Sequence, residues 1–241
     1  GIRDVERSRG LGDVYKRQAL KLVSKNKRDL NFNCEVLTFV SQFCPNCRMT
    51  ADSINAIASR SYVKHHIIDV SMFPDFAEKF DIKSVPTAII GEFRFVGAMN
   101  EDEAKFWIEK ISEGDYIEYF TEKLQNGDIE EVKRIVIKKP ELAKVLAKLM
   151  SHREFMIRLG SMAAIEALWK IDPKIVLSAK DEIIKLLKHN DERIREDAAM
   201  MLGIIGDTSD IEHLENAAKE GGRVSDSAEE AIGKIRRRED G

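Results

Sequence analysis

Residues 36–47 read VLTFVSQFCPNC, and this run decides the fold of the first half of the chain. Val36 to Ser41 is rich in β-branched and aromatic residues, the composition of a buried strand. From Pro45 to Ala58 the period changes, with Met49, Ile54, Ile57 and Ala58 spaced as one face of a helix. Cys44-Pro45-Asn46-Cys47 therefore falls at a strand-to-helix junction. Residues three apart in a first helical turn have Cα atoms about 5 Å apart, within reach of a disulfide. Cys44 at the helix start faces unpaired backbone N–H groups and the positive end of the dipole, both of which favour a thiolate. Pro45 suits the first helical position, where its missing N–H costs nothing. Cys47, one turn further in, is expected to be the more sheltered sulfur. An exposed attacking thiolate and a sheltered resolving thiol are what two-step disulfide exchange requires.

Downstream, Tyr62 to Val70 reads as a second strand and Pro74 to Phe80 as a short helix, with Phe73, Phe76, Ala77 and Phe80 at helical spacing. Thr87–Gly91 and Phe93–Val96 read as two strands joined by a tight connection, and Glu101–Ile111 as an amphipathic helix. The order β-α-β-α-β-β-α describes an α/β unit with one mixed sheet. Val85-Pro86-Thr87 stands just before the third strand, where a Pro does not interrupt the ladder and a cis bond in a tight turn is expected.

Cys-x-x-Cys on the first helix and a cis-Pro before the third strand resemble the thioredoxin/glutaredoxin superfamily, over about residues 33–112. Within it, the run from Phe39 to Glu103 is most similar to two relatives: the N-terminal redox domain of flavin-dependent alkyl hydroperoxide reductase subunits, and the glutaredoxin-like halves of archaeal protein disulfide oxidoreductases. The resemblance implies that Cys44 and Cys47 are the catalytic pair. It also implies that Pro86 packs beside their disulfide, that Val85 pairs with substrate backbone, and that Pro45 and Asn46 complete the substrate-positioning set. No bound cofactor beyond the Cys44–Cys47 disulfide and no metal are expected. Protein disulfides are the expected substrates, with reducing equivalents from a flavoprotein reductase or another dithiol donor. Two positions depart from the pattern. Thr38 stands six residues before Cys44, where thioredoxins proper carry a buried Asp, and Phe43 takes the place of the Trp before the first Cys.

Other readings of these residues stay open on the sequence. Cys44 and Cys47 could form half of a zinc site, for which Cys34, His65 and His66 are the available ligands. Adjacent His65 and His66 on a strand point to opposite faces, so at most one could join. An iron–sulfur cluster bridged between two chains is a smaller alternative. Cys34 is otherwise expected as a small buried side chain, His65 and His66 as one core and one surface residue, Asp69 as a turn residue, and Trp107 and Trp169 as core.

After Gly114 the texture is helical only, and it repeats. Residues 183–205 overlay 146–165 at an offset of 37, matching His152 with His189, Ile157 with Ile194 and Arg158 with Arg195. An offset of 30 overlays 224–235 on 194–205 and matches Gly203 with Gly233. The pattern I-R-x-x-A-A-x-x-L-G resembles HEAT-like repeats over roughly residues 140–236, with small Ala and Gly positions that let paired helices approach. Each pair buries its apolar face only against its neighbours, so an α-solenoid is expected. Arg158 and Arg195 are expected to tie adjacent repeats through ion pairs.

The expected fold is thus α/β plus all-α, a thioredoxin fold followed by a HEAT-like α-solenoid. The domains divide as 1–18, 19–33, 34–114 and 115–241. Residues 1–18, GIRDVERSRGLGDVYKRQ, carry no apolar period and resemble translated sequencing-adaptor read-through. Natural sequence is expected to begin near Ala19, where Leu20, Leu22 and Val23 open a short helical pattern, and residues 19–33 read as a linker or the remnant of an upstream domain. Residues 34–112 and 113–241 carry formal net charges of −3 and −5, which argues against a nucleic-acid surface. No apolar run approaches the roughly 18 residues of a membrane helix. Three cysteines are too few for a disulfide-scaffolded secreted domain. A cytoplasmic location is expected, with the true start expected upstream and a signal peptide left open.

The functional expectation is a thiol–disulfide oxidoreductase using the CPNC dithiol, with the repeats binding a protein partner. The alternative is a redox-sensing adaptor in which the repeats carry the main function and the dithiol regulates.

Overall fold

The computed structural model describes residues 30–239. The segment 1–18, and with it the helical pattern at Leu20, Leu22 and Val23, lies outside the described residues. The described residues divide into two compact units, with the division after Asp115.

The first unit has the expected order. Its strands are β1 (Glu35–Val40), β2 (Lys64–Asp69), β3 (Thr87–Ile90) and β4 (Phe93–Val96), and its helices are α1 (Cys47–Ala58), α2 (Pro74–Lys79) and α3 (Glu101–Glu113). The sheet runs β2-β1-β3-β4. β2 lies parallel to β1, with Val36 opposite His65, whereas β3 is antiparallel to β1 and to β4. The C-terminal end of β1 and the N-terminal end of β3, the two central strands, therefore meet at one end of the sheet. The chain just beyond that end carries Cys44 and Pro86.

Helices α1 and α3 pack together. α1 buries Cys47, Thr50, Ala51, Ile54 and Ile57, while Met49 stays exposed, so the buried stripe is rotated from the expected one. Apolar spacing gives the period of a helix, and the sheet beneath selects which side is buried. The Phe73, Phe76, Ala77, Phe80 stripe of α2 contributes no fully buried residue. Phe73, Phe76 and Phe80 instead line a cleft of about 660 Å³ with Leu37, His66 and Ile68. Trp107 is half-buried against Phe95, with ring centroids 5.0 Å apart, so it flanks the core instead of filling it.

The second unit consists of α4 (Ile117–Gln125), α5 (Ile129–Lys138), α6 (Ala143–Leu149), α7 (Phe155–Ile171), α8 (Leu177–Leu186), α9 (Glu192–Ile205), α10 (Ile211–Ala218) and α11 (Gly222–Glu239). α6, α8 and α10 are each preceded by a short 3-10 turn. The pairs stack on their neighbours, α6 on α8 and α9 on α11.

The overlay at 37 residues has a physical counterpart. Arg158 Nη1 donates to the carbonyls of His152 and Arg153, and Arg195 Nη1 to those of His189 and Asn190. His152 Nδ1 accepts from Glu154 N–H and His189 Nδ1 from Asp191 N–H. Each arginine then reaches an acid of the next repeat, Asp197 at 3.3 Å from Arg158 Nε and Glu220 at 2.9 Å from Arg195 Nε. A buried or half-buried arginine thus staples its own loop and the following helix pair. Trp169 is half-buried with the Arg238 guanidinium 5.9 Å from its ring centroid, again at the margin of the core.

Candidate functional site at the Cys44–Cys47 junction

β1 ends at Val40, and the chain turns through residues 41–46 before α1 begins at Cys47. The helix thus starts two residues later than its apolar period suggests. Pro45 and Asn46 form a lead-in turn closed by Cys47 N–H on the Cys44 carbonyl at 3.3 Å. Asn46 already has helical angles, so the turn runs smoothly into α1. Cys44 and Cys47 are paired as a disulfide, with Cα atoms 5.4 Å apart. The two sulfurs sit in different surroundings. Cys44 is half-exposed, whereas Cys47 is 3% exposed beneath the first turn.

The second element of the site comes from the loop before β3. The Val85–Pro86 bond is cis. Pro86 is buried, and Cys44 Sγ lies 3.7 Å from the Val85 carbonyl oxygen. Gly97 N–H donates to the Pro86 carbonyl at 2.9 Å, and Thr87 Oγ1 to the Ser84 carbonyl at 2.7 Å, which holds this loop against the end of β4. Val85 N–H has no hydrogen bond among the described residues. The structure therefore brings together Cys44, Pro45, Asn46, Cys47, Val85 and Pro86. Phe43 projects beside them at 84% exposure.

Under α1, Thr38 is fully buried on β1 and its hydroxyl lies 2.8 Å from His65 Nε2. His65 Nδ1 lies 2.8 Å from Asn55 Oδ1 on α1. This is the arrangement of a neutral imidazole, Nδ1–H donating to Asn55 and Nε2 accepting from Thr38. Burial, reinforced by neighbouring His66, pulls the His65 pKa down to about 4. His65 is thus the half-buried member of the histidine pair and His66 the exposed one. Both His65 ring nitrogens are engaged, and among the described residues no cluster of three or more His, Cys, Asp or Glu side chains is arranged to hold a metal ion. Cys34 is half-buried, and burial pushes its thiol pKa up. Asp69 ends β2 as a turn residue, accepting from Ser71 N–H at 2.8 Å.

The Thr38–His65–Asn55 chain joins three elements and was not foreseen from the sequence. The pairing that carries it is the parallel register, which sets His65 opposite Val36, beside Thr38 on the same face. An acid-sensitivity follows from it. Unfolded, His65 takes its proton near the ordinary value of 6.5, and folded only near 4. Between those values the unfolded chain binds more protons, so this contribution is intact above pH 6.5 and is lost as the pH falls towards 4. With partial exposure discounted, the loss is about 1–2 kcal/mol. Urea titrations followed by Trp107 fluorescence in a Trp169→Phe background should show that loss between pH 7 and 4.5. A His65→Gln variant should show a flatter dependence, and equal slopes would remove His65 as the cause.

Residues 33–109 match the family model for the thioredoxin domain, and residues 161–233 match the model for HEAT repeats. A search of curated proteins gave no significant match. No helix among the described residues is long and apolar enough to cross a membrane.

Proposed function

Because the chain joins a thioredoxin domain to HEAT repeats, we propose that the first unit exchanges dithiols and disulfides through Cys44 and Cys47 while the repeats recognise a protein partner. The observation that carries this reading is the unequal pair itself, a half-exposed Cys44 joined to a buried Cys47 beside the Val85 carbonyl. Starting from the reduced pair, the Cys44 thiolate attacks one sulfur of a substrate disulfide. The substrate S–S bond breaks, its other sulfur leaves as a thiolate and takes up a proton, and a mixed disulfide forms on Cys44. Cys47 then loses its proton and attacks Cys44 Sγ. The second substrate thiol is released and the Cys44–Cys47 disulfide forms, so two electrons have passed to the substrate. A dithiol donor, or a flavoprotein reductase of the kind that serves the resembling redox domains, returns the pair to its reduced form.

Two features support a polypeptide as substrate. The unbonded Val85 N–H offers a backbone donor next to Cys44. The Phe43 ring, next in sequence to Cys44, offers exposed apolar surface. The test is turnover. With dithiothreitol in excess, insulin should be reduced over many cycles per protein molecule. A single stoichiometric exchange followed by arrest would turn the reading into a redox sensor.

A further inference from the structure

The repeat unit is acidic overall, yet one cleft in it collects arginines. Arg153, Arg158, Arg193 and Arg223 surround a space of about 410 Å³, with Phe155, Glu196 and Asp197 completing its walls. The four come from the loop before α7, the first turn of α7, and the first turns of α9 and α11. The cleft therefore lies where three alternate helices, α7, α9 and α11, begin.

How each guanidinium is used decides what the cleft can hold. Arg158 is only 7% exposed. Its Nε donates to Asp197 and its Nη1 to two loop carbonyls, but its Nη2 has no hydrogen bond among the described residues. Arg153, Arg193 and Arg223 are exposed and form no ion pair among the described residues. Arg195, two residues further along α9, is by contrast committed to Glu220. Asp197 is already held by Arg158, so Glu196 is the one lining carboxylate left to balance three exposed arginines. Consecutive glycines with positive φ, Gly221 at 82° and Gly222 at 62°, carry the chain from Glu220 into α11 immediately before Arg223.

An apolar contact adjoins this charge. Phe155 is 58% exposed, with the Arg158 guanidinium 5.4 Å from its ring centroid, and the neighbouring Met156 is also exposed. A ligand that satisfies both needs two or three anionic oxygens and an apolar side chain close by. A long phosphodiester would meet Glu154, Asp191 and Glu192 at the same helix starts, in a unit of net negative charge. A short acidic segment needs to contact only the residues that line the cleft.

We propose that the cleft among Arg153, Arg158, Arg193 and Arg223 docks an acidic peptide segment of a partner protein, with an apolar side chain of that segment lying on Phe155. The proposal rests on the recognition half of the function above and not on the dithiol.

The test selects random twelve-residue displayed peptides on the immobilised intact chain and measures the recovered ones, made with a fluorophore, by anisotropy. Recovered sequences should be enriched in Asp and Glu next to Phe, Leu or Met. Binding should weaken roughly tenfold or more in the Arg193→Glu/Arg223→Glu variant, which keeps its circular dichroism, and should fall with added salt. A control reversal outside the cleft, Lys219→Glu, should leave binding within twofold. A peptide with its acids changed to Lys should gain affinity for the double variant. Recovery of no peptide, absence of an acidic bias, undiminished binding by the double variant, or stronger binding of a single-stranded oligonucleotide would each overturn the proposal. Peptides that bind the double variant as well as the parent would leave recognition by the repeats standing and move it to another face. Failure of insulin turnover with peptide binding intact would remove only the redox half.

Discussion

Cys47→Ser is expected to accumulate a mixed disulfide through Cys44, and Cys44→Ser to form none and to lose at least roughly 100-fold in reduction of a small disulfide. The two sulfurs are chemically alike, so the asymmetry has to come from their surroundings. Cys44 is half-exposed, follows the exposed Phe43, and lies 3.7 Å from the Val85 carbonyl. Cys47 is nearly inaccessible, so a substrate disulfide cannot reach it in line. Removing Cys44 therefore removes the attacking atom, whereas removing Cys47 removes only the atom that releases the product. Incubation of each variant with an oxidised protein substrate, followed by non-reducing electrophoresis, separates the outcomes. Comparable adducts from both variants would mean that Cys47 is reachable, and the assigned order of attack would fail.

Much of that site was legible before any coordinates, because its signals are local. A strand, a tight turn and a helix start are written in neighbouring residues, and the Cys44–Cys47 spacing fixes a Cα distance that the structure gives as 5.4 Å. What could not be read depends on contacts between distant segments. The Thr38–His65–Asn55 chain links residues 27 and 10 positions apart, through a strand register that no local pattern states. Met49 and the α2 phenylalanines fit a helical period but not a buried face, since periodicity says how side chains align and not what lies beneath them. In the repeats, the alignment at 37 residues located the arginine staples, but not which guanidinium groups remain unspent around a cleft. That depends on which acids the next repeat supplies.

The alignment at 30 residues equates Gly203 with Gly233, and here the same sequence match should give opposite results. A Cβ built at Gly203 in α9 would lie 3.0 Å from both Cα and Cβ of Ala231 in α11. The opposing atoms include backbone, so relief requires the helices to separate. At Gly233, in α11 itself, the nearest atom beyond its own helix backbone is Arg237 Nη1 at 3.8 Å, the mobile end of a side chain. Gly203→Leu is expected to destabilise the repeat unit by about 2–3 kcal/mol, as overpacking outweighs the gain in helix propensity. Gly233→Leu should be neutral, or stabilising by up to about 0.8 kcal/mol from propensity alone. Urea unfolding followed by circular dichroism at the helical minimum measures both. Reduction of a small disulfide by the Gly203→Leu variant should stay near the parent's in low urea, because no residue assigned to the dithiol site lies beyond the first unit. Equal losses from the two substitutions would show that the α9–α11 approach is not limited by Gly203. A parallel loss of disulfide reduction would show that the repeats help to build the redox site.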